Sequence, residues 1–446
     1  MGNNLYIQCN LYIFMIMVFL SIINYIISYD SIEFGFDSYN YGVAIIWVVG
    51  FAIFYLKYKN DIFKSISFIF YVISGVFHLG IPISKIFYDG SSYINNYIDI
   101  WYYEEEVFFS LSFVSLFFIC YLIPVVLFKK RREKNNLSTI VNLNASVSKV
   151  STLFLIFFIV LWFLAVKLVF DINNYAQYHY MVSSSGFGKF IAVYVNTIIG
   201  VSFIISNFND NFKNIHILVF LIWAVFAFSL GLRGEVLFPL FLSLPFIIER
   251  CKGKVNNKVI VSISVLLLIA SSVVFNNRGE EKKEATISYN PFSTLSELGG
   301  SLRPVSETVN WIDNGEVGFK YGMTYIAPFE RALSKFIPFM TVPSASNDER
   351  LMNIVMMSKS GPYGYSIVAE SYINFDLLGV AIAGFLLGLF FSINDNKPIK
   401  GVMFICLSYG FFFHIRQSYV GAFGSVIVFL FTLYSYIIIS RLKIKM

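Results

Sequence analysis

Apolar runs close to the length that a bilayer's hydrocarbon core demands of a helix, about 20 residues, recur along most of the chain. Taken in order they predict twelve spans, at roughly 9–29, 41–57, 65–84, 107–128, 150–170, 189–206, 214–231, 234–248, 259–275, 366–392, 401–415 and 418–439. The pattern breaks once at length: residues 276–365 are mostly polar. Two stretches inside this break have helical periodicity. In the first, Leu295, Leu298, Leu302, Val305, Val309 and Ile312 alternate spacings of three and four, with Gly299, Gly300 and Pro304 weakening or kinking the helix. In the second, Tyr325, Phe329, Leu333, Phe336 and Met340 share one face, and Glu330, Arg331 and Lys335 the other. Such segments either lie on the membrane surface over a site between spans or pack against the chain's own spans.

Composition turns the pattern into a fold class. Hydrophobic residues make up 57% of the chain and charged residues 13%, about half the roughly 25% charge of a soluble domain, and the mean hydropathy is +0.69. The expectation is an all-α polytopic membrane protein with about 12 transmembrane helices, residues 1–446 forming one integral membrane domain. Residues 1–30 read as a first span, because they lack a basic leading region and a small-x-small cleavage site. Cys9, Cys120, Cys251 and Cys406 are scattered without a CxxC pair, which predicts neither a disulfide framework nor a metal site.

Charge then orients the spans. Alternate loops, around residues 57–64, 129–149, 213, 250–258, 397–400 and 441–445, hold 19 of the 33 lysines and arginines but only five of the 27 acidic residues. Basic loops stay in the cytoplasm, so both termini are expected there and the 276–365 loop, between spans 9 and 10, is expected to be extracytoplasmic. The net charge of +6 is on this basis a topology signal with no nucleic-acid partner implied.

Four charges near the same membrane face are not needed for topology, and ionisable groups at that depth are costly and tend to be functional. Arg233 sits in the short Gly231-Leu232-Arg233-Gly234-Glu235 turn between spans seven and eight, and Arg278, in Arg278-Gly279-Glu280, where span nine emerges. Arg416 follows His414 in the turn between the last two spans, and Glu370 lies about one turn into span ten. The planar guanidinium fork forms bidentate, charge-assisted bonds suited to a diphosphate. Alternatively each arginine pairs with a neighbouring glutamate or reaches lipid phosphate. Glu370 is a candidate general base or a partner for these arginines, and His414 a second candidate base or a structural hydrogen-bonding residue. The loop contains no DxD-like pair, and no P-loop or other Gly-rich nucleotide fold is present. Nucleotide-sugar donors and ATP hydrolysis are thereby disfavoured, leaving chemistry or transport on a lipid-borne anionic substrate.

Four stretches carry a resemblance: Gly231-Leu232-Arg233-Gly234, the 297–304 stretch ELGGSLRP with Glu307, Lys320-Tyr321-Gly322-Met323-Thr324-Tyr325, and the 366–375 stretch SIVAESYINF. In them the chain resembles the bacterial oligosaccharide repeat-unit polymerases of the Wzy type, which assemble O-antigen and capsular polysaccharide. Asp376 departs from it, since the family often shows glycine after Asn-Phe. An Arg-x10-Gly spacing discussed for some such polymerases runs from Arg350 to Gly361, a pairing that chance produces readily.

The resemblance implies an enzyme of the bacterial cytoplasmic (inner) membrane that uses undecaprenyl-diphosphate-linked oligosaccharide, with no metal and no cofactor. A chain-length regulator and a flippase of the same pathway are its candidate partners. It further implies that Arg233, Arg278 and Arg416 neutralise the departing diphosphate, that Arg303 holds a second diphosphate or the glycan, and that Glu370, or failing it His414, takes the acceptor proton. An O-antigen ligase, a lipid-linked glycan flippase or exporter, and a non-catalytic scaffold are the alternatives. A carrier would be expected to bury ionisable groups at mid-membrane and to repeat its halves, for which Lys167 is the one weak sign.

Overall fold

A computed structural model describes residues 11–12, 14–15, 18–19, 21–22, 35–87, 93–128, 145–172, 175–208, 214–250, 291–337, 339–396 and 401–442, and among them the regular structure is entirely helical. The helices are α1 (Gly35–Tyr58), α2 (Ile66–Phe87), α3 (Tyr93–Tyr102), α4 (Glu105–Leu127), α5 (Ala145–Phe163), α6 (Tyr175–Ser184), α7 (Gly186–Phe190), α8 (Asn196–Ser206), α9 (Ile215–Ser229), α10 (Arg233–Arg250), α11 (Pro291–Leu298), α12 (Arg303–Asp313), α13 (Met323–Leu333), α14 (Met352–Lys359), α15 (Ile367–Asn396), α16 (Val402–His414) and α17 (Tyr419–Arg441).

Seven described helical stretches are long and apolar enough to cross a membrane: Tyr39–Lys64, Ile66–Phe87, Glu105–Leu127, Ala145–Val169, Gly186–Ser206, Ile367–Asp395 and Tyr419–Arg441. Each coincides with an expected span. The spans expected at 214–231 and 401–415 fall on the shorter apolar helices α9 and α16, and that at 234–248 on α10, which contains Pro239 and Pro245. The span expected at 259–275 lies outside the described residues, as do most residues of the one expected at 9–29. The chain is a polytopic, all-helical membrane protein.

Two compact units form. The first takes in Met1–Arg132, Pro291–Lys397 and His414–Phe423, the second Glu133–Asn290, Pro398–Phe413 and Gly424–Met446. In the first unit α15 packs along α4, while α11 lies against α2. Close approach of α11 to α2 depends on two glycines. A Cβ on Gly80 would stand 2.2 Å from the Leu295 carbonyl oxygen, and one on Gly299 2.4 Å from the Ile81 amide nitrogen. The chain passes this point in a 3-10 turn, Gly299–Leu302, so the expected weakening at Gly299-Gly300 is a change of helix type that brings backbone against backbone. Asp395, at the far end of α15, accepts from the Ser65 hydroxyl (2.5 Å) and the Ile66 (3.2 Å) and Ser67 (3.1 Å) amides. That carboxylate caps donors the first turn of α2 leaves without helical partners.

In the second unit small residues let α5 and α8 close on each other. Ser148 and Ser151 donate to the carbonyls of Ser206 (3.0 Å) and Ser202 (2.7 Å), and Ser202 pairs with the Tyr436 hydroxyl at 2.6 Å. Trp162 and Trp223 meet edge to face at 6.0 Å in the same core. Past α5 the helix loosens into a π segment, Leu164–Val169, where the Lys167 ammonium donates to the Ile172 carbonyl at 2.6 Å. The sequence's one weak sign of a mid-membrane carrier charge is therefore a lysine that satisfies a carbonyl at a helix end.

Candidate functional site

Three of the sequence stretches singled out above assemble within the first unit. Asn374, on α15, accepts from the Gly322 amide (2.8 Å), donates to Thr324 Oγ1 (2.7 Å) and donates to the Glu370 carbonyl one turn back (2.7 Å). The Lys320 amide bonds the Ile373 carbonyl at 2.8 Å, and the Tyr325 hydroxyl lies 3.3 Å from Ser371 Oγ. Residues 320–325 and 366–375, about 45 residues apart in the chain, thus form one hydrogen-bonded seat at the start of α15. Just past the third stretch, Thr308 Oγ1 meets the Tyr365 hydroxyl at 2.9 Å, tying α12 to the residue that leads into the same helix.

Glu370 occupies the first turn of α15 and is fully buried, 0% exposed, and His414, the last residue of α16, is 2% exposed. The two are in contact: His414 Nε2 is 3.1 Å from Glu370 Oε2. The same oxygen accepts the Tyr419 backbone N–H at 2.6 Å. Because Tyr419 opens α17, the carboxylate sits at the positive end of that helix's dipole. The other oxygen, Oε1, has no hydrogen-bond partner among the described residues. A buried carboxylate oxygen without a donor is costly to a stable fold, and such exceptions call for a functional or solvent explanation.

Aromatic rings wall this pair. The Tyr419 ring lies 5.7 Å from the His414 ring and 5.2 Å, edge to face, from Tyr325. Burial first, with the nearby Glu370 charge adding to it, pushes the Tyr325 hydroxyl above its ordinary range. Burial likewise raises Tyr365 well above its usual value, against a smaller opposite effect of the Thr308 hydrogen bond. Both phenols therefore remain protonated at neutral pH and serve as hydrogen-bonding walls. Between these walls lie the Glu370 carboxylate and the His414 imidazole.

Of the arginines picked from sequence, Arg303 and Arg416 belong to this unit. The Arg303 guanidinium bonds Glu307 Oε1 (Nε to oxygen, 3.1 Å) and lies over the rings of Tyr363 (4.0 Å) and Trp101 (5.4 Å). Glu307 is held in turn by the Ser360 hydroxyl at 2.7 Å. This aromatic and carboxylate box fixes the guanidinium plane and balances its charge. Arg416 lies in the turn after His414, its guanidinium 5.9 Å from the Phe77 ring centre, and its carbonyl accepts the Tyr365 amide at 3.3 Å. Gly364 makes that approach feasible: its φ is +76°, and a Cβ there would meet the Arg416 carbonyl oxygen at 2.6 Å. Arg233 opens α10 in the second unit, 2% exposed. Arg278 lies outside the described residues.

Sequence reasoning treated Glu370 and His414 as alternatives; the structure joins them. Tyr365 and Tyr419 carry no signal that would single them out among 29 tyrosines, and Tyr325 and Asn374 lie in stretches already marked but have no site role assigned there. Arg350, from the Arg-x10-Gly spacing, is engaged inside the loop. Its guanidinium bonds Asp348 at 2.9 and 3.1 Å and Glu330 at 2.5 Å, and Arg331 bonds Asp348 at 3.2 Å.

Comparison with known proteins identifies the family. Protein CapE of Staphylococcus aureus is 29% identical over 191 residues, a region covering 41% of this chain and 41% of that protein's own length. No solved structure matches. The profile of the family described as O-antigen polysaccharide polymerase Wzy matches residues 10–446, and the chain belongs to that family.

Proposed function

We propose that this protein polymerises lipid-linked oligosaccharide repeat units at the outer face of the bacterial cytoplasmic membrane. Twelve spans, both termini in the cytoplasm and an outward 276–365 loop complete the proposed topology, which is supported by the asymmetry of basic residues between alternate loops. The growing glycan moves from its undecaprenyl diphosphate to a hydroxyl of the next lipid-linked unit. A bond forms between that hydroxyl oxygen and the anomeric carbon, the bond from the anomeric carbon to the diphosphate oxygen breaks, and its electron pair leaves with the diphosphate.

The observation that carries this is the Glu370–His414 pair. Oε2 is fixed by two donors, which aims Oε1, the oxygen with no partner, at an incoming hydroxyl. Oε1 takes the acceptor proton, and His414 orients the carboxylate and stabilises its charge. A positioned base of this kind contributes about 10²–10⁴-fold. Arg233, Arg278 and Arg416 are proposed to neutralise the departing diphosphate. For Arg303 the Glu307 pairing and the Tyr363 and Trp101 rings favour contact with the glycan, because rings and a fixed guanidinium plane suit sugar faces and hydroxyls better than a second diphosphate.

Purified protein in vesicles, given a lipid-diphosphate repeat unit without added metal or nucleotide, is expected to produce a ladder of polymer lengths. Transfer confined to a lipid A core, or movement across the bilayer with no new bond, would overturn polymerisation in favour of a ligase or a flippase.

A further inference from the structure

The second periodic segment of the loop carries an apolar face that the described residues leave open. On α13 and the chain after it, Ile326 and Phe329 are each 46% exposed, Leu333 49%, Phe336 83% and Phe339 95%. The first four follow helical spacing and share one side. Another side, with Thr324, Ala327 and Pro328, is buried. The third is polar and spoken for, Glu330 and Arg331 bonding to Arg350 and Asp348.

Two observations identify what covers the open face. First, α13 is docked across the starting ends of two membrane spans. Gly322 and Thr324 are bonded to Asn374, two turns into α15, and the Phe329 ring lies 4.4 Å from that of Phe423, one turn into α17. The helix therefore lies at the depth where these spans enter the membrane. Second, exposed apolar residues continue down the neighbouring span: Phe375, whose ring abuts Gly322, is 46% exposed, and Leu378 and Ile382, farther down α15, are 66% and 47% exposed.

We propose that residues 323–339 form an interfacial anchor, with Ile326, Phe329, Leu333, Phe336 and Phe339 seated among the phospholipid acyl chains and the polar side facing the loop. Large apolar and aromatic side chains opposite a charged face, lying parallel to the surface, are the features of interfacial helices. The anchor has a direct consequence for the site. Asn374 bonds α13 on one side and the Glu370 carbonyl on the other, so the depth of α13 in the bilayer sets the position of the turn that carries the catalytic carboxylate.

Phe339→Trp in the full-length protein, placed in vesicles of dibrominated phosphatidylcholine, tests this. The added emission, read as the difference from the parent chain, is expected to be blue-shifted and to lose roughly half its intensity relative to unbrominated vesicles, as for a side chain within about 5–10 Å of the headgroup boundary. Introducing Leu333→Asp and Phe336→Asp into the same variant should abolish the quenching while leaving thermal stability in detergent unchanged, since both side chains are already exposed. Red-shifted, unquenched emission would overturn the anchor in favour of a water-facing or protein-covered surface. Emission that shifts only when several copies share a vesicle would overturn it in favour of self-association. The vesicles contain no polyprenyl lipid, so quenching reports phospholipid alone.

Discussion

Two clusters of charge in the first unit look alike in sequence and differ in structure. Around Asp348 the loop gathers Arg331, Arg350 and Glu330, and every charge is answered: Asp348 receives both arginines, and Arg350 reaches Glu330 as well. At the start of α15, Glu370 receives His414 and the Tyr419 amide on one oxygen and nothing from the described residues on the other. The first cluster is closed and serves to hold the loop together. The second is open on one atom, and that atom is buried. On the proposed reading, charge density does not mark the site; an unanswered oxygen on a buried carboxylate held by a histidine and a helix N-terminus does.

Glu370→Gln gives the sharpest test of this contrast. Glutamine keeps the shape and can still accept the Tyr419 N–H, so the α17 terminus stays capped, but it cannot take a proton. Polymer formation in the reconstituted assay is expected to fall by about 10²–10⁴-fold with protein level and melting temperature near those of the parent. Full activity in this variant would reduce Glu370 to a helix cap and leave the contrast without chemical meaning.

The closed cluster should respond in the opposite way. Burial alone would raise the Asp348 carboxyl, but the hydrogen bonds and charge of Arg350, helped by Arg331, outweigh it and hold the group below the usual carboxylate range. A depressed folded value means that the cluster's contribution is present at neutral pH and is lost as pH falls through that lowered value. Asp348→Asn should therefore cost about 1.5–3 kcal/mol, the range for hydrogen bonds to charged groups, and flatten the acid limb of the stability profile. Turnover per folded molecule should stay near normal. Thermal melts of parent and variant from neutral to acid pH check this, and a loss of turnover with stability unchanged would place Asp348 in the chemistry.

The long apolar helices and the place of Glu370 in the first turn of α15 were legible because each follows from local pattern: apolar run length and distance from a run's end. The pairing of Glu370 with His414 was not, since 44 residues separate them and only the packing of α15 against the turn after α16 brings them together. The apolar periodicity at 295–312 was also legible but ambiguous. The same pattern serves a membrane surface or a protein groove, and Gly80 on α2, which decides for the groove, carries no signal of its own. At 323–339 the pattern was as ambiguous, and there the exposed phenylalanines favour the membrane.

The smallest expected effect concerns the point where α15 bends, immediately after the Asn374 seat. Phe375 and Asp376 leave helical geometry, and Asp376 adopts φ +55° and ψ −153°. That combination is nearly closed to residues bearing a Cβ and costs about 1–3 kcal/mol when imposed on one. It also gives a physical reason for the glycine that resembling sequences often carry after Asn-Phe, and it shows that this chain tolerates strain beside its site. Asp376→Gly should relieve most of that strain and forfeit roughly 0.5–1 kcal/mol through the freer unfolded chain, for a net gain near 1 kcal/mol seen as a modest rise in melting temperature. If the bend is held by the Asn374 bonds to Gly322, Thr324 and the Glu370 carbonyl, polymer length and rate should not change. A stabilised but slower variant would instead show that the strain at Asp376 helps set the position of Glu370.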